Sequence, residues 1–166
     1  MIYRASSDFY SKLLTGIILG IFLSVFLLIF FNGAHNHLKW VMIMIGIFLI
    51  FVPILCYIFS PKSYKTDGTG VYIQRTVRTI FIPFSNIASV GLLPSNILSG
   101  SIRIGGVYGL FGYFGRYQIT SVGRIYLAAT QLRNFLLIRL KDGNQFVLSP
   151  DDLSLKDLIE KNISPY

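Results

Sequence analysis

The chain has 166 residues and a mass of 18.7 kDa, room for one domain and an attachment but not for two sizeable globular domains. It is 53% hydrophobic and only 13% charged, with a mean hydropathy of +0.62 and a formal charge of +8. Soluble domains carry about a quarter charged residues and disordered tails need low hydrophobicity, so this apolar, basic balance excludes an ordinary cytosolic globule and disfavours a disordered tail.

Residues 1–12 read as a short leader carrying Arg4 and Lys12. Leu13 to Phe31 (LLTGIILGIFLSVFLLIFF) then gives nineteen residues without a charge. As a helix rising about 1.5 Å per residue, this run matches a hydrocarbon core about 30 Å thick. A cleaved signal peptide is the competing reading. Its apolar region is usually about 7–15 residues, and the following FNGAHNH is a poor cleavage site, so a retained anchor is expected. Trp40 to Phe59 (WVMIMIGIFLIFVPILCYIF) forms a second uncharged run after a loop at 32–39, and the pair reads as a membrane hairpin. Pro53 is expected to kink the second helix, and Cys56, the single cysteine, to pack as a small apolar group with no disulfide or redox partner.

Cations near short loops stay on the cytoplasmic side. Arg4 and Lys12 precede the first helix, and Lys62, Lys65, Arg75 and Arg78 follow the second, whereas the loop carries only Lys39. Both termini are therefore expected in the cytoplasm of a two-pass protein of the cell membrane. Tyr3, Phe9, Tyr10, Trp40, Tyr57 and Tyr64 are placed like interfacial anchors. Gly16, Gly20 and Ser24 recur every four residues and form a strip free of bulk, expected to seat the second helix at Gly46. Contact between whole hairpins, giving a homo-oligomer, is the alternative use of that strip.

From 60 to 166 the chain turns to short apolar runs broken by Gly, Pro, Asn and Asp, the pattern of a β domain. Val71 and Ile73, then Ile80, Ile82 and Phe84, alternate with outward positions. Ile125, Leu127 and Ala129, then Leu136, Ile138 and Leu140, then Phe146 and Leu148 do the same. Asp67-Gly68 and Asp142-Gly143 suit hairpin turns, and Thr76-Val77-Arg78 is a weaker candidate. After Ser149-Pro150-Asp151-Asp152, the segment LSLKDLIEKNI places Leu155, Leu158, Ile159 and Ile163 on one helical face, with the preceding Ser and Asp residues as caps.

The stretch NFLLIRLKDGNQFVLSPDDLSLKDLIEKNI from Asn134 resembles the last hairpin and terminal helix of bacterial pleckstrin-homology (PH)-like domains. IPFSNIASV at Ile82 to Val90 resembles a strand-turn-strand step of the same domains, and GLFGYFGRYQITSVGRIYLAAT at Gly109 to Thr130 a glycine-aromatic segment of their membrane-anchored members. The resemblance covers most of residues 62–166. It implies a mostly β fold, a roll of about seven antiparallel strands capped by a C-terminal helix, with a two-helix anchor and no catalytic residues.

The chemical inventory agrees with a non-enzymatic protein. His35 and His37 form an H-x-H pair with no carboxylate or cysteine in their loop, so no metal site is expected. Asp151 and Asp152 are better explained as helix caps than as paired acids. Gly105, Gly106, Gly109, Gly112 and Gly115 are not followed by Gly-Lys-Ser/Thr, so no nucleotide cofactor is expected either. Tyr108, Phe111, Tyr113, Phe114 and Tyr117 are interleaved with Arg103, Arg116 and Arg124, and two readings stay open for them. They form an interaction surface, here Tyr108, Phe111, Tyr113, Phe114, Arg116 and Tyr117, or their rings fill a core.

Residues 62–141 hold ten Lys or Arg against one acid, a net of +9, while 142–166 have a net of −3. Lys62, Lys65, Arg75 and Arg78 are thus candidate contacts to an anionic leaflet, worth about 1 kcal/mol each near the surface. The first-loop sequence TDGTG lacks the basic cluster with which some of the PH domains it resembles grip inositol phosphates, so the resemblance does not extend to specific phosphoinositide binding. The expected function is an interaction or scaffolding module at the bilayer, with a membrane or cytoplasmic protein as partner and no nucleic acid. Anionic-lipid recognition, or service as an accessory subunit of a transporter or secretion complex, are the alternatives.

Overall fold

The computed structural model describes residues 1–32 and 39–163. A short strand β1 (Ile2–Arg4) opens the chain and is followed by α1 (Phe9–Asn32) and α2 (Lys39–Phe59). Both helices are long and apolar enough to cross a membrane, over Phe9–Phe31 and Trp40–Phe59. Helix α1 starts four residues before the uncharged run because Asp8 caps it, its carboxylate accepting the Ser11 N–H at 2.8 Å. Pro53 lies within α2, which continues to Phe59.

Nine further strands follow: β2 (Pro61–Thr66), β3 (Gly70–Arg75), β4 (Ile80–Pro83), β5 (Ile87–Leu93), β6 (Ile102–Tyr108), β7 (Tyr113–Ile119), β8 (Gly123–Ala129), β9 (Phe135–Leu140) and β10 (Gln145–Leu148). Helix α3 (Ser154–Asn162) closes the chain. One sheet has the order β1-β2-β3-β4, the other β5-β9-β10-β8-β7-β6. The mostly β fold with a C-terminal helix is as expected, but nine strands follow the helices where about seven were expected, and there are two further differences. The leader contributes a strand, Tyr3 pairing with Tyr64, and β10 inserts between β8 and β9 so that it runs parallel to β8.

Turn chemistry fixes the hairpins where anticipated. Asp67 accepts the N–H groups of Thr69 and Gly70 between β2 and β3, and Asp142 accepts the Asn144 N–H between β9 and β10. Before α3 the N-cap position is Leu153, without a side-chain cap, and the expected Ser or Asp cap is replaced by Asp152 accepting the Ser154 N–H at 2.8 Å and hydroxyl at 2.7 Å, leaving Asp151 for another partner.

One core lies between the two sheets and α3. Val71, Ile73 and Ile82 from the smaller sheet meet Leu136, Ile138 and Leu148 from the larger, with Leu155 and Ile159 closing it. Tyr64, fully buried, donates to the Ala128 carbonyl at 2.7 Å and accepts the Ser149 N–H at 3.1 Å, bolting one sheet to the other. A second core sits on the opposite face of the larger sheet, where Tyr113, Tyr117, Leu127, Phe135 and Val147 pack under Ile97, Leu98 and Leu132. Strand β9 is buried at five of its six positions, so Phe135 and Leu137, expected to face outward between the alternating Leu136, Ile138 and Leu140, are core residues as well.

Tyr3 and Tyr64 belong to the first core, so they are not interfacial anchors as their position beside the helices suggested. Phe9, Tyr10, Trp40 and Tyr57 are exposed.

Candidate functional site at the junction of the helices and the β domain

The β domain is tied to both long helices through one tight loop and one carboxylate. The loop is Gly109–Gly112, between β6 and β7. The Gly109 carbonyl accepts the Ser11 hydroxyl at 2.9 Å and the Thr15 hydroxyl at 3.2 Å, while Thr15 accepts the Phe111 N–H at 3.0 Å. Phe111 sits at φ +59, an uncommon conformation outside glycine, and its ring meets Tyr57 of α2 edge-on at 5.4 Å between centroids. The same loop therefore touches the first turns of α1 and the last turns of α2. Gly109 is at φ +94 and an added Cβ would stand 2.1 Å from the Leu14 side chain, so the backbone approaches α1 as only glycine permits.

Asp8 is the carboxylate. Besides capping α1 it accepts the Leu132 N–H at 3.1 Å and the Tyr113 hydroxyl at 3.3 Å, and its own N–H donates to the Thr130 carbonyl. Burial first, then the Asp8 charge, push the Tyr113 phenol well above its ordinary range, so it stays protonated and donating. Upstream, the Ser6 hydroxyl donates to Asp151 at 2.5 Å and Arg4 accepts the Asp151 N–H. Residues 2–8 are stitched to both sheets and to the segment before α3.

The candidate lipid contacts separate in space. Pro61 pairs with Arg75, so the start of β2, the end of β3 and the Thr76-Val77-Arg78 turn lie at the junction end of the smaller sheet. The register slips between Pro61 and Ser63, making Lys62 the extra residue of a bulge, and its ammonium lies 3.5 Å from the centre of the Tyr57 ring. Arg78 is exposed in the turn beside Val77, which is 71% exposed. Lys65 is exposed but three residues farther along β2, about 10 Å away. Arg75 is committed elsewhere: its guanidinium donates to the Tyr126 hydroxyl and lies 5.2 Å from that ring.

The expected aromatic surface is corrected in three places. Tyr113, Phe114 and Tyr117 are buried, and the Tyr117 hydroxyl donates to the Val107 carbonyl at 3.0 Å. Alternation along β7 turns Tyr113 and Tyr117 into the second core. Tyr108 remains exposed and stacks edge-on to Tyr113, Phe111 is half-buried at the junction, and Arg116 is exposed. The strip Gly16, Gly20 and Ser24 is corrected too, as the seat of α2. It is exposed, nothing lies within 4 Å of a Cβ built on either glycine, and Ser24 bonds back to the Gly20 carbonyl. Helix α2 instead meets α1 where the Phe26 ring comes 3.6 Å from a Cβ built on Gly46. His35 and His37 lie outside the described residues.

Asp8, Ser11 and Thr15 were not anticipated as junction residues. A signal existed for Asp8, an Asp directly before an apolar helical run, but nothing local marked its partners 105 to 124 residues away.

A comparison with protein families matches residues 62–162 to the family described as bacterial PH domain. No curated protein and no solved structure matches the chain.

Proposed function

From the premise that the chain belongs to the bacterial PH-domain family, we propose that it is a non-enzymatic two-pass protein of the cell membrane whose PH domain is an interaction module held rigidly at the cytoplasmic face. The observation that carries this is the junction: residues 2–4 before α1 pair with 63–65 after α2, while Asp8 and the Gly109–Phe111 loop grip the same ends of both helices. Strand pairing across the helix pair requires both flanking segments to lie on one side of a bilayer. The excess of cations there, against Lys39 alone in the connecting loop, supports the cytoplasmic side. A rigid mount fixes which face of the domain a partner meets, which a flexible tether does not. Tyr108 is an exposed aromatic of the aromatic-arginine segment and is read as part of the partner-facing surface.

The test is a cysteine at Asp142, in a chain with Cys56→Ser, probed with a membrane-impermeant maleimide. Labelling is expected only after cells are permeabilised, and labelling of intact cells would overturn the topology. A photo-crosslinker at Tyr108 is expected to give a discrete protein adduct from membranes. Adducts to lipid alone would overturn the interaction role.

A second reading, recognition of anionic lipid, is favoured by Lys62, Arg78 and Val77 meeting at the junction end. Lys65 is the outlying member of that set, and Arg75 contributes less because Tyr126 already holds it.

A further inference from the structure

On the flank of the larger sheet, a groove of about 370 Å³ is lined by Arg116, Arg124, Tyr126, Ile104, Asn144 and Phe146 among others. Strand register explains why the two arginines share it. Arg116 is paired directly with Tyr126 across β7 and β8, and Arg124 lies two residues from Tyr126 on the same face of β8. A third guanidinium reaches the same ring from the smaller sheet: Arg75 donates to the Tyr126 hydroxyl, and its Nε is buried with no partner among the described residues. Arg75 is thus held at the ring that Arg116 and Arg124 flank in the sheet.

Among the described residues no acid lines the groove. The acid nearest in sequence, Asp142, is held in its turn by the Asn144 backbone N–H at 2.9 Å and side-chain amide at 3.0 Å. The side chains of Arg116 and Arg124 make no hydrogen bond or ion pair with any described residue, and the ion pair between Lys156 and Glu160 lies on α3. Guanidiniums gathered without a countercharge repel one another, and an oxyanion that takes several N–H donors in fork geometry turns that repulsion into attraction. The Tyr126 hydroxyl, accepting from Arg75, keeps its own proton to donate. Ile104, Phe146 and the ring of Tyr126 supply apolar wall beside the cations, and the volume suits a small organic molecule better than a bare ion.

We propose that this groove binds the phosphate of a soluble phosphomonoester, with Arg116 and Arg124 as the principal donors and the Ile104–Phe146 wall against the organic group. Position separates it from the headgroups beside the helices. Arg116 is three residues along β7 from Tyr113 at the junction and Arg124 five residues from Ala129, about 10 and 17 Å at strand spacing. The inference does not depend on a protein partner or on which side of the membrane the domain faces.

The test uses the full chain in nanodiscs of neutral phosphatidylcholine, titrated at constant ionic strength with phenyl phosphate and with inorganic phosphate, read by calorimetry and ³¹P line broadening. Saturable binding is expected, tighter for phenyl phosphate. Combined Arg116→Gln and Arg124→Gln should weaken it at least tenfold, whereas Arg78→Gln, an exposed cation outside the groove, should leave it unchanged. Should the double variant lose its thermal transition, Arg116→Lys with Arg124→Lys decides instead, keeping the charge but losing the fork, with a several-fold loss expected. The proposal is overturned by an absence of saturable binding, by affinity unchanged in the groove variants, or by an equal loss in Arg78→Gln, which would indicate diffuse charge. It is also overturned if the groove variants lose binding only to phosphatidylglycerol vesicles added in trans while phenyl phosphate goes unbound, since the phosphate source would then be a lipid.

Discussion

At Asp8 a single carboxylate joins three elements, and its loss cannot be absorbed locally. Asp8→Ala leaves the Leu132 N–H and the Tyr113 hydroxyl without their acceptor and removes the cap of α1. The thermal midpoint of the full chain in detergent should fall by an amount equivalent to about 1–3 kcal/mol, with Asp8→Asn recovering part because its amide oxygen still accepts. An unchanged midpoint would show that the junction is held elsewhere. Asp67 offers a pH-dependent case. Hydrogen bonds from the Thr69 hydroxyl, then from the Thr69 N–H, hold its carboxyl down at about 2. The unfolded value is about 3.9, so as pH falls the unfolded chain takes up the proton first. The stabilisation is then complete above about pH 4 and is lost as pH falls towards 2. Against Asp67→Ala, the wild-type midpoint should be higher by a constant margin at neutral pH, and the margin should close across that window. A margin independent of pH would reject the role of the charge. Residues of both kinds were unequally legible. Asp67 announces its turn through its neighbour Gly68, whereas Tyr3 and Tyr64 look like any aromatic beside an apolar helix until the pairing of β1 with β2 buries them.

Elements whose partners are close in sequence could be read from pattern alone. The β2–β3 and β9–β10 hairpins and the buried face of α3 follow from Asp-Gly turns and from periods of two and 3.6. What pattern could not show is that β10 slots between β8 and β9, because strand order depends on long-range closure and not on local alternation. The second core was hidden because the alternation of Leu136, Ile138 and Leu140 marks one buried face of β9, while the burial of Phe135 and Leu137 on the other face depends on what packs over it. The helix pair illustrates a sharper limit. Small residues at four-residue spacing mark a face that permits close approach, but Gly46 and not the strip receives the neighbouring helix. Gly46→Leu should therefore wedge α1 and α2 apart against Phe26, lowering the yield of engineered disulfides between them, while Gly20→Leu leaves that yield intact. Equal effects from both would show that the strip does contact α2. If Gly20→Leu altered only the oligomeric state in detergent, the strip would be assigned to contact between hairpins.

Across the whole molecule, strand pairing and charge act along the same axis. The pairing of β1 with β2 closes the chain around the helix pair, so the polypeptide leaves and re-enters the β domain at one end, and that end carries Lys62, Arg78 and the exposed Val77. The acids gather instead in the last twenty-five residues. A module mounted this way presents cations and one apolar side chain to any adjacent anionic surface, and its attraction to that surface must be screened by salt. Hydrogen exchange at the 76–78 turn tests this in the full chain. In nanodiscs rich in phosphatidylglycerol at low salt, the turn should exchange more slowly than in phosphatidylcholine nanodiscs. The difference should vanish near 1 M salt, where the screening length is about 3 Å. Combined Lys62→Gln and Arg78→Gln should abolish it at low salt as well, and Lys65→Gln should barely change it because Lys65 stands back from the junction. Protection that ignores lipid charge and salt would assign these cations to setting topology alone, leaving the junction contacts of Asp8 and the Gly109–Phe111 loop to hold the domain in place.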